Sequence, residues 1–185
     1  MVSKNSFAIE DGFRYGCLRA LRESDADGML EWMHDESIAS VFQTDFVSLC
    51  REDVLDFIEH THVDADSLHF AVTGDDEGEY MGTVSLKHID IGNQSAEYAI
   101  SMRSCAHGSG LSMKGTKDAL RYAFTVLGLH RVYLNVRSDN RRAKRFYEKI
   151  GFVHEGTSRD GLSTPTGYCN LDWYSMLRDE FAYLV

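Results

Sequence analysis

A loop with two glycines, His107-Gly108-Ser109-Gly110-Leu111-Ser112, lies between a strand-like segment at residues 96–102 and a helix-like segment at residues 113–127. The glycines allow the backbone to take up positive φ and to approach a ligand closely. The unpaired N–H groups of the following helix, with the positive end of its dipole, point back into this loop. The loop therefore predicts a site for an anion such as a pyrophosphate, although a lone Gly-x-Gly is more often a plain turn.

A second pattern lies farther along the chain and reads Asn140-x-x-Ala143-x-x-Phe146-Tyr147-x-x-x-Gly151-Phe152. The apolar residues of this pattern, together with Ile150, fall on one face of a helix, which predicts a buried stripe. Gly151 is typical of the residue at which such a helix ends.

Hydrophobic periodicity predicts the other elements. Strands are expected at residues 14–21, 68–73, 80–88, 96–103, 132–136, 152–156 and 168–175, and helices at residues 24–33, 51–62, 113–127 and 143–150. The order β-α-α-β-β-β-α-β-α-β-β predicts an α+β fold with a mixed, mostly antiparallel central sheet flanked by helices. A length of 185 residues, of which 43% are hydrophobic, fits one domain over residues 1–185.

Residues 97–156, about a third of the chain, resemble the GNAT superfamily of acyl-CoA-dependent N-acyltransferases. The branch that looks most similar includes ribosomal-protein-alanine N-acetyltransferases, together with polyamine and amino-sugar acetylating relatives. The family's loop, Gln/Arg-x-x-Gly-x-Gly/Ala, corresponds here to His107, Gly110 and Ser112, of which Gly110 matches. The segment from Asn140 to Phe152 matches closely. The resemblance implies a GNAT-like sheet, acetyl-CoA as co-substrate, and direct attack by a primary amine without a covalent enzyme intermediate.

The resemblance also suggests two catalytic residues. Tyr147 has the position of the family's general acid, and a phenol, with a reference pKa near ~10, can protonate a departing thiolate. Helical spacing alone would instead make Tyr147 a core residue. Glu97 is in register with an acidic residue of many relatives, so we interpret it as binding the acceptor amine and accepting its proton through water. A carboxylate that only anchors the sheet is the alternative.

The same resemblance places the cofactor and acceptor sites. The backbone of Met102, Arg103 and Ser104 would pair with the pantetheine amides like an added strand. The phosphates would lie on the glycine loop, at His107, Gly108, Ser109, Gly110, Leu111 and Ser112. Asn140 would hold the pantetheine arm or cap its helix. Trp32, Phe42 and Phe46 would wall the acceptor site, although a core role suits Trp32 equally.

Charge is divided unevenly along the chain. Residues 23–86 contain 17 acidic residues and one basic residue, a net charge of −16, whereas residues 87–159 contain 13 basic and 6 acidic residues, a net charge of +7. This division would be explained if the basic half binds a polyanionic cofactor and the acidic half faces a cationic acceptor. Charged helix surfaces without a role in binding are the alternative. No basic patch with interleaved aromatics predicts a nucleic acid partner, and no apolar run predicts a membrane span.

The sequence thus predicts a cytoplasmic N-acetyltransferase that uses acetyl-CoA and no metal. The four widely scattered cysteines favour reduced thiols and show no metal-ligand spacing. The acceptor is expected to be a small amine or amino sugar, with a protein N-terminus as the alternative. A non-catalytic acyl-CoA-binding module and a plain structural domain are the rivals from other classes, and a homodimer stays open.

Overall fold

The computed structural model describes residues 9–40, 42, 44–62, 64, 66–74, 78–164 and 166–182. Within these residues, helices flank one sheet of eight strands, which confirms the predicted α+β class. In chain order the elements are β1 (Arg14–Tyr15), β2 (Leu18–Ala20), α1 (Ala26–Met33), α2 (Glu36–Ala39), α3 (Arg51–Thr61), β3 (Leu68–Thr73), β4 (Tyr80–Asp90), β5 (Ser95–Met102), α4 (Leu111–Thr125), β6 (Arg131–Arg137), α5 (Arg141–Ile150), β7 (Val153–Thr164), β8 (Gly167–Leu177) and α6 (Arg178–Ala182).

The strands lie in the order β1-β2-β3-β4-β5-β6-β8-β7. Every neighbouring pair is antiparallel except β5 and β6, which run parallel. A parallel pair needs a crossover connection, and α4 supplies it. The predicted mixed, mostly antiparallel sheet is therefore confirmed.

The single strand predicted at residues 14–21 is wrong, because the chain reverses there. β1 and β2 form a short antiparallel hairpin, with Arg14 opposite Arg19 and Tyr15 opposite Leu18. Gly16 has φ +61°, and a Cβ at this position would lie 2.2 Å from a carboxylate oxygen of Asp118. A glycine is needed at this turn because both the left-handed backbone and the close approach exclude a side chain.

Other elements differ from the predictions mainly in length. The final strands predicted at residues 152–156 and 168–175 are longer, and register shifts near Gly156 and Ser158 allow β7 to continue along β8. The short helices α2 and α6 were outside the predicted order, since periodicity does not detect a helix of one turn. α4 begins at Leu111, two residues before the predicted start.

Two apolar clusters cover opposite faces of the sheet. The larger cluster packs β3–β6 and β8 against α4 and α5, and includes Phe70, Val84, Leu120, Tyr147 and Ile150. The smaller cluster packs α1 and α3 onto the other face, and includes Met29, Trp32, Ile58, Ala71 and Tyr80. Because successive side chains of a strand point to opposite faces, β3 contributes Phe70 to the larger cluster and Ala71 to the smaller one.

Candidate active site

A cavity of about 1020 Å³ lies between the first three helices and strands β4 and β5, and reaches the N-terminal ends of α4 and α5. It is large enough for an elongated small molecule. The predicted residues that line it are Trp32, Phe42, Glu97, Met102, Ser104, His107, Ser112, Asn140 and Tyr147. The predicted residues outside its lining are Arg103, Gly108, Ser109, Gly110 and Leu111.

The cavity follows an opening in the sheet between β5 and β6. These strands pair only from Ser95 with Arg131 to Glu97 with Tyr133, and farther along they have no register partners across the opening. An unpaired strand edge offers N–H and C=O groups that can pair with an extended amide chain. The geometry fits the predicted pantetheine contacts at Met102 and Ser104, which line the cavity, and these contacts stay predictions.

The glycine loop has an open backbone cradle. Gly108 and Gly110 have φ values of +81° and +85°, which confirms the predicted positive φ. A Cβ at either position would meet no atom within 4 Å, so the space above them is free for a ligand. The N–H of Leu111 donates to Ser109 Oγ at 3.2 Å, whereas no described residue accepts from the N–H of Ser112. The loop and the first turn of α4 therefore fit the pyrophosphate of CoA.

Positive charge also lies at this end of the cavity. Arg142, at the start of α5, lines the cavity together with His107. Burial lowers the pKa of His107, and the neighbouring charge of Arg142 lowers it further. Arg142, rather than His107, therefore supplies the positive charge at neutral pH beside the glycine loop. Sequence reasoning missed this role of Arg142.

Asn140 caps α5. Its side-chain oxygen accepts a hydrogen bond from the N–H of Ala143 at 3.1 Å, which confirms the capping alternative. Asn140 also lines the cavity, so a pantetheine contact by its amide NH₂ stays a prediction.

Arg103 lies outside the cavity lining and is committed to other contacts. Its guanidinium binds Glu31 and Glu79, its N–H donates to the Met81 carbonyl at 2.9 Å, and its own carbonyl accepts from Ala106. With both backbone groups already paired, Arg103 is poorly placed for the predicted pantetheine contact, and it ties α1 to β4 instead.

Tyr147 belongs to the core and also reaches the cavity. Its side chain packs edge-on against Tyr98, with ring centroids 6.4 Å apart, and against Phe152 at 5.8 Å. No described residue hydrogen-bonds its hydroxyl, and no buried polar atom of the described residues lacks a partner, so the hydroxyl opens onto the cavity. Burial raises the pKa of Tyr147 to about 12. The hydroxyl is thus a protonated donor, as a general acid must be.

Glu97 lies on the cavity floor at the last parallel pair before the opening. The Lys87 ammonium is 3.2 Å from one carboxylate oxygen, and Nε2 of His88 is 3.9 Å from the other. Neither neighbour was singled out from the sequence. Pairing the two predicted strands as an antiparallel hairpin sets Lys87 opposite Glu97, and this pairing could have identified the neighbours of Glu97.

The end of the cavity where the acceptor is predicted to bind has an aromatic wall. Trp32, Phe42 and Phe46 contact one another with ring centroids 5.0 to 5.6 Å apart. Trp32 is also buried and donates its indole N–H to the Tyr80 hydroxyl at 2.9 Å. Its position is compatible with both the predicted wall role and the alternative core role, and Phe46, which the resemblance also placed at this wall, supplies the third ring.

A polar patch lies on the same floor, on β3 and β4. His69 and Ser85 line the cavity and are joined by a hydrogen bond of 2.8 Å between Nδ1 and Oγ. Burial lowers the pKa of His69 to about 4, although nearby Asp64 opposes the shift. His69 is therefore neutral at physiological pH, and sequence reasoning missed this patch.

The acidic half of the chain contributes less to the cavity than its charge suggests. Among the described acidic residues at positions 23–86, Asp53 is the one that lines the cavity. Asp25 and Glu31 are instead bound by Arg19 and Arg103. Most of the −16 charge could therefore act on the predicted acceptor site only from a distance, where salt screens it.

The described residues contain no group of three or more His, Cys, Asp or Glu side chains that could hold a metal ion. None of their helices is long and apolar enough to cross a membrane.

The sequence and the fold of this chain are similar to those of known proteins. Residues 17–153 match the family described as an acetyltransferase (GNAT) domain. The spermidine N(1)-acetyltransferase of Vibrio cholerae is 31% identical over 140 residues, which cover 75% of this chain and 79% of that enzyme. The ribosomal protein uS5-alanine N-acetyltransferase of Escherichia coli K12 is 27% identical over 109 residues, 58% of this chain and 56% of that enzyme. The crystal structure of the Vibrio spermidine N-acetyltransferase with CoA and spermine has a TM-score of 0.81 at 26% identity, and the match covers 89% of this chain and 96% of that chain.

Proposed function

Because this chain belongs to the GNAT acetyltransferase family and is an acyltransferase that uses acetyl-CoA, we propose that its acceptor is a small cationic primary amine. Family membership also sets aside the non-catalytic module and the plain structural domain. Spermidine and spermine, which are named for the Vibrio relative and its complex, are small cations of this class.

The observation that carries the proposal is the chemistry of the acceptor end. Two carboxylates, those of Asp53 and Glu97, line it beside three aromatic rings. A hydrogen bond from the N–H of Cys50 lowers the pKa of Asp53, so this carboxylate stays charged. Carboxylates attract an ammonium, and aromatic faces add a cation–π attraction of about 0.5–2 kcal/mol. This combination suits an alkylammonium better than an anionic acceptor.

The proposed roles of the residues follow from their positions. Acetyl-CoA, when bound, supplies the acetyl thioester, whose cleavage leaves a thiolate. The N–H groups of the glycine loop and Arg142 hold its phosphates. Glu97 accepts the proton that the acceptor ammonium must lose before its nitrogen can attack. Tyr147 gives its hydroxyl proton to the thiolate.

A peptide N-terminus is the second candidate acceptor. The similarity to the ribosomal protein uS5-alanine N-acetyltransferase favours it, as does the expected resemblance to the ribosomal branch. That similarity covers less of this chain than the similarity to the spermidine enzyme, so we place it second. The proposal also includes the cytoplasmic location that the sequence predicts, and the oligomeric state stays open.

The test is a thiol-release assay with acetyl-CoA and a panel of acceptors. The panel contains spermidine, spermine, an amino sugar with no charged group besides its amine, a nucleotide-linked amino sugar and a peptide that begins with alanine. Polyamine turnover that weakens as salt rises would support the proposal. Preference for the peptide would favour the second candidate, and preference for the nucleotide-linked sugar would overturn the electrostatic argument.

A further inference from the structure

β4 contains a bulge beside the proposed proton acceptor. The register with β5 pairs Lys87 with Glu97 and then Asp90 with Ser95, so two residues of β4 lie opposite Ala96 alone. Those two residues are His88 and Ile89. A bulge adds one unpaired residue to a strand and can redirect its side chain, often next to an active site.

The bulge changes the face to which His88 points. Ile89 is buried in the core on the α4 side together with Ala96, as the partner of that residue would be. His88 has φ +51°, a left-handed value that is uncommon outside glycine. Its imidazole lies on the same side as the Lys87 ammonium, lines the cavity, and places Nε2 3.9 Å from Glu97 Oε2. In a regular strand, consecutive side chains would point to opposite faces.

Exposure differs sharply between the two partners. The Glu97 side chain is 18% exposed, whereas that of His88 is 64% exposed. His88 thus spans from the cavity floor to bulk water. The other close neighbour of Glu97 cannot take a proton from it, because the ammonium of Lys87 has donors and no acceptor.

We propose that His88 carries the acceptor's proton from Glu97 to solvent. The inference rests on the proposed function, in which the acceptor arrives as an ammonium. Conversion of an ammonium and an acetyl thioester to an amide and a thiol releases one proton per turnover. Imidazole is the side chain best suited to exchange that proton near neutral pH.

The transfer balances in three steps. The ammonium N–H bond breaks, and the proton goes to a Glu97 carboxylate oxygen, which leaves the amine lone pair free. That proton then passes to Nε2 of His88, directly after a small side-chain rotation or through one water, since 3.9 Å is too long for a hydrogen bond. The imidazolium releases it to bulk water, and the carboxylate and the neutral imidazole are restored.

His88→Gly tests this role without adding backbone strain, because glycine adopts positive φ readily. Gln94→Gly is the matched control: Gln94 also has a left-handed backbone, φ +53°, and lies in the same β4–β5 hairpin, but it is exposed outside the cavity lining. We expect kcat of His88→Gly to fall by about 10²-fold with a saturating amine, the lower end of the range for general acid–base catalysis. Added imidazole should restore it, and the control should keep the parent rate.

The outcomes separate this inference from the proposed function. If the parent acetylates no amine, the proposed function fails. If the parent is active and His88→Gly keeps its rate, or loses a rate that imidazole does not restore, the proton-carrier role is overturned. His88→Asn, which also tolerates a left-handed backbone, is tested with imidazole if the glycine variant does not fold.

Discussion

The ammonium nitrogen of Lys87 lies 3.2 Å from Oε1 of Glu97, at the cross-strand pair where the sheet begins to open. The carboxylate proposed to receive the acceptor's proton is therefore already paired with a cation of the protein itself. Because the two side chains are 34% and 18% exposed, the pair is only moderately shielded from water. An incoming ammonium must share this carboxylate or displace Lys87 from it.

Lys87→Met should therefore lower KM for a cationic acceptor. The competing charge is removed, and an exposed or half-exposed ion pair is worth up to about 1 kcal/mol, which corresponds to about two- to fivefold in KM. Initial rates with spermidine in low and high salt provide the measurement, and Lys87→Arg, which keeps the charge, is the control. A higher KM for the methionine variant would show that Lys87 helps to hold the acceptor.

Glu97→Gln should slow turnover most at lower pH, where a smaller fraction of the acceptor is free amine. Glutamine keeps the shape of the side chain but cannot accept the proton. The pH dependence of kcat with a single amine tests this. Asp53→Asn removes the other carboxylate that lines the cavity among the described residues, and should raise KM while leaving the shape of the kcat profile unchanged. Parallel profiles for parent and Glu97→Gln would assign Glu97 an anchoring role only.

Tyr147→Phe should lose mainly turnover, by about 10²–10⁴-fold, with little change in CoA affinity. Because burial raises the pKa of Tyr147 to about 12, the hydroxyl should stay protonated and active in the parent as the pH rises to about 10. Tyr174→Phe is a matched control, since its ring contacts Tyr147 but its hydroxyl donates to Glu148. Equal single-turnover rates for Tyr147→Phe and the parent would assign Tyr147 to the core alone.

Gly110→Asp should abolish most CoA binding. The new carboxylate would lie in the open space above the loop, where we expect the pyrophosphate. Gly110→Asn is the control, because asparagine matches aspartate in size and tolerates φ +85° without adding charge. Calorimetric titration with CoA measures the difference between the two. Similar affinities for folded Asp and Asn variants would place the phosphates elsewhere.

Asp172→Asn should destabilise the fold at neutral pH by about 2 kcal/mol. Burial raises the pKa of Asp172, but hydrogen bonds from Lys144, Thr157 and Ser138 outweigh this and lower it to about 2. Since the folded pKa is depressed, the contribution is complete above about pH 4 and is lost as pH falls toward 2. Denaturant unfolding at several pH values should show parent and variant converging in acid. Thr157→Ala, which removes one neutral hydrogen-bond donor to Asp172, should lower the free energy of unfolding by less. A difference in stability between parent and Asp172→Asn that stays constant with pH would contradict this role of Asp172.

Local sequence patterns determined the cofactor side of this protein. The spacing of Gly108 and Gly110 before a helix specified the left-handed turns, because few other residues adopt positive φ. The 3.6-residue period of α5 put Tyr147 and Ile150 on the buried face, and Asn140 marked its N-terminus. These features depend on residues close together in the chain, so the sequence alone predicts them.

Tertiary structure decided the acceptor side. Trp32 and Phe46 form one wall with Phe42 only after α1 and the following segment pack over the sheet. The hairpin at Gly16 depends on a carboxylate about a hundred residues away, and no local pattern records that approach. Contacts of this kind are set by how separate elements pack, which periodicity does not report.

The neighbourhood of Glu97 shows the division most clearly. Its position before the glycine loop was visible in the sequence, but its pairing with Lys87 depended on the register of two strands. A shift of one residue would have turned the whole set of side chains to the other face. The bulge at His88 then interrupted the alternation of side chains along β4. The imidazole of His88 therefore lies near the Glu97 carboxylate, whereas in a regular strand it would point to the opposite face. The sequence determined which chemical groups the chain carries near its active site, and the strand register decided which of them meet.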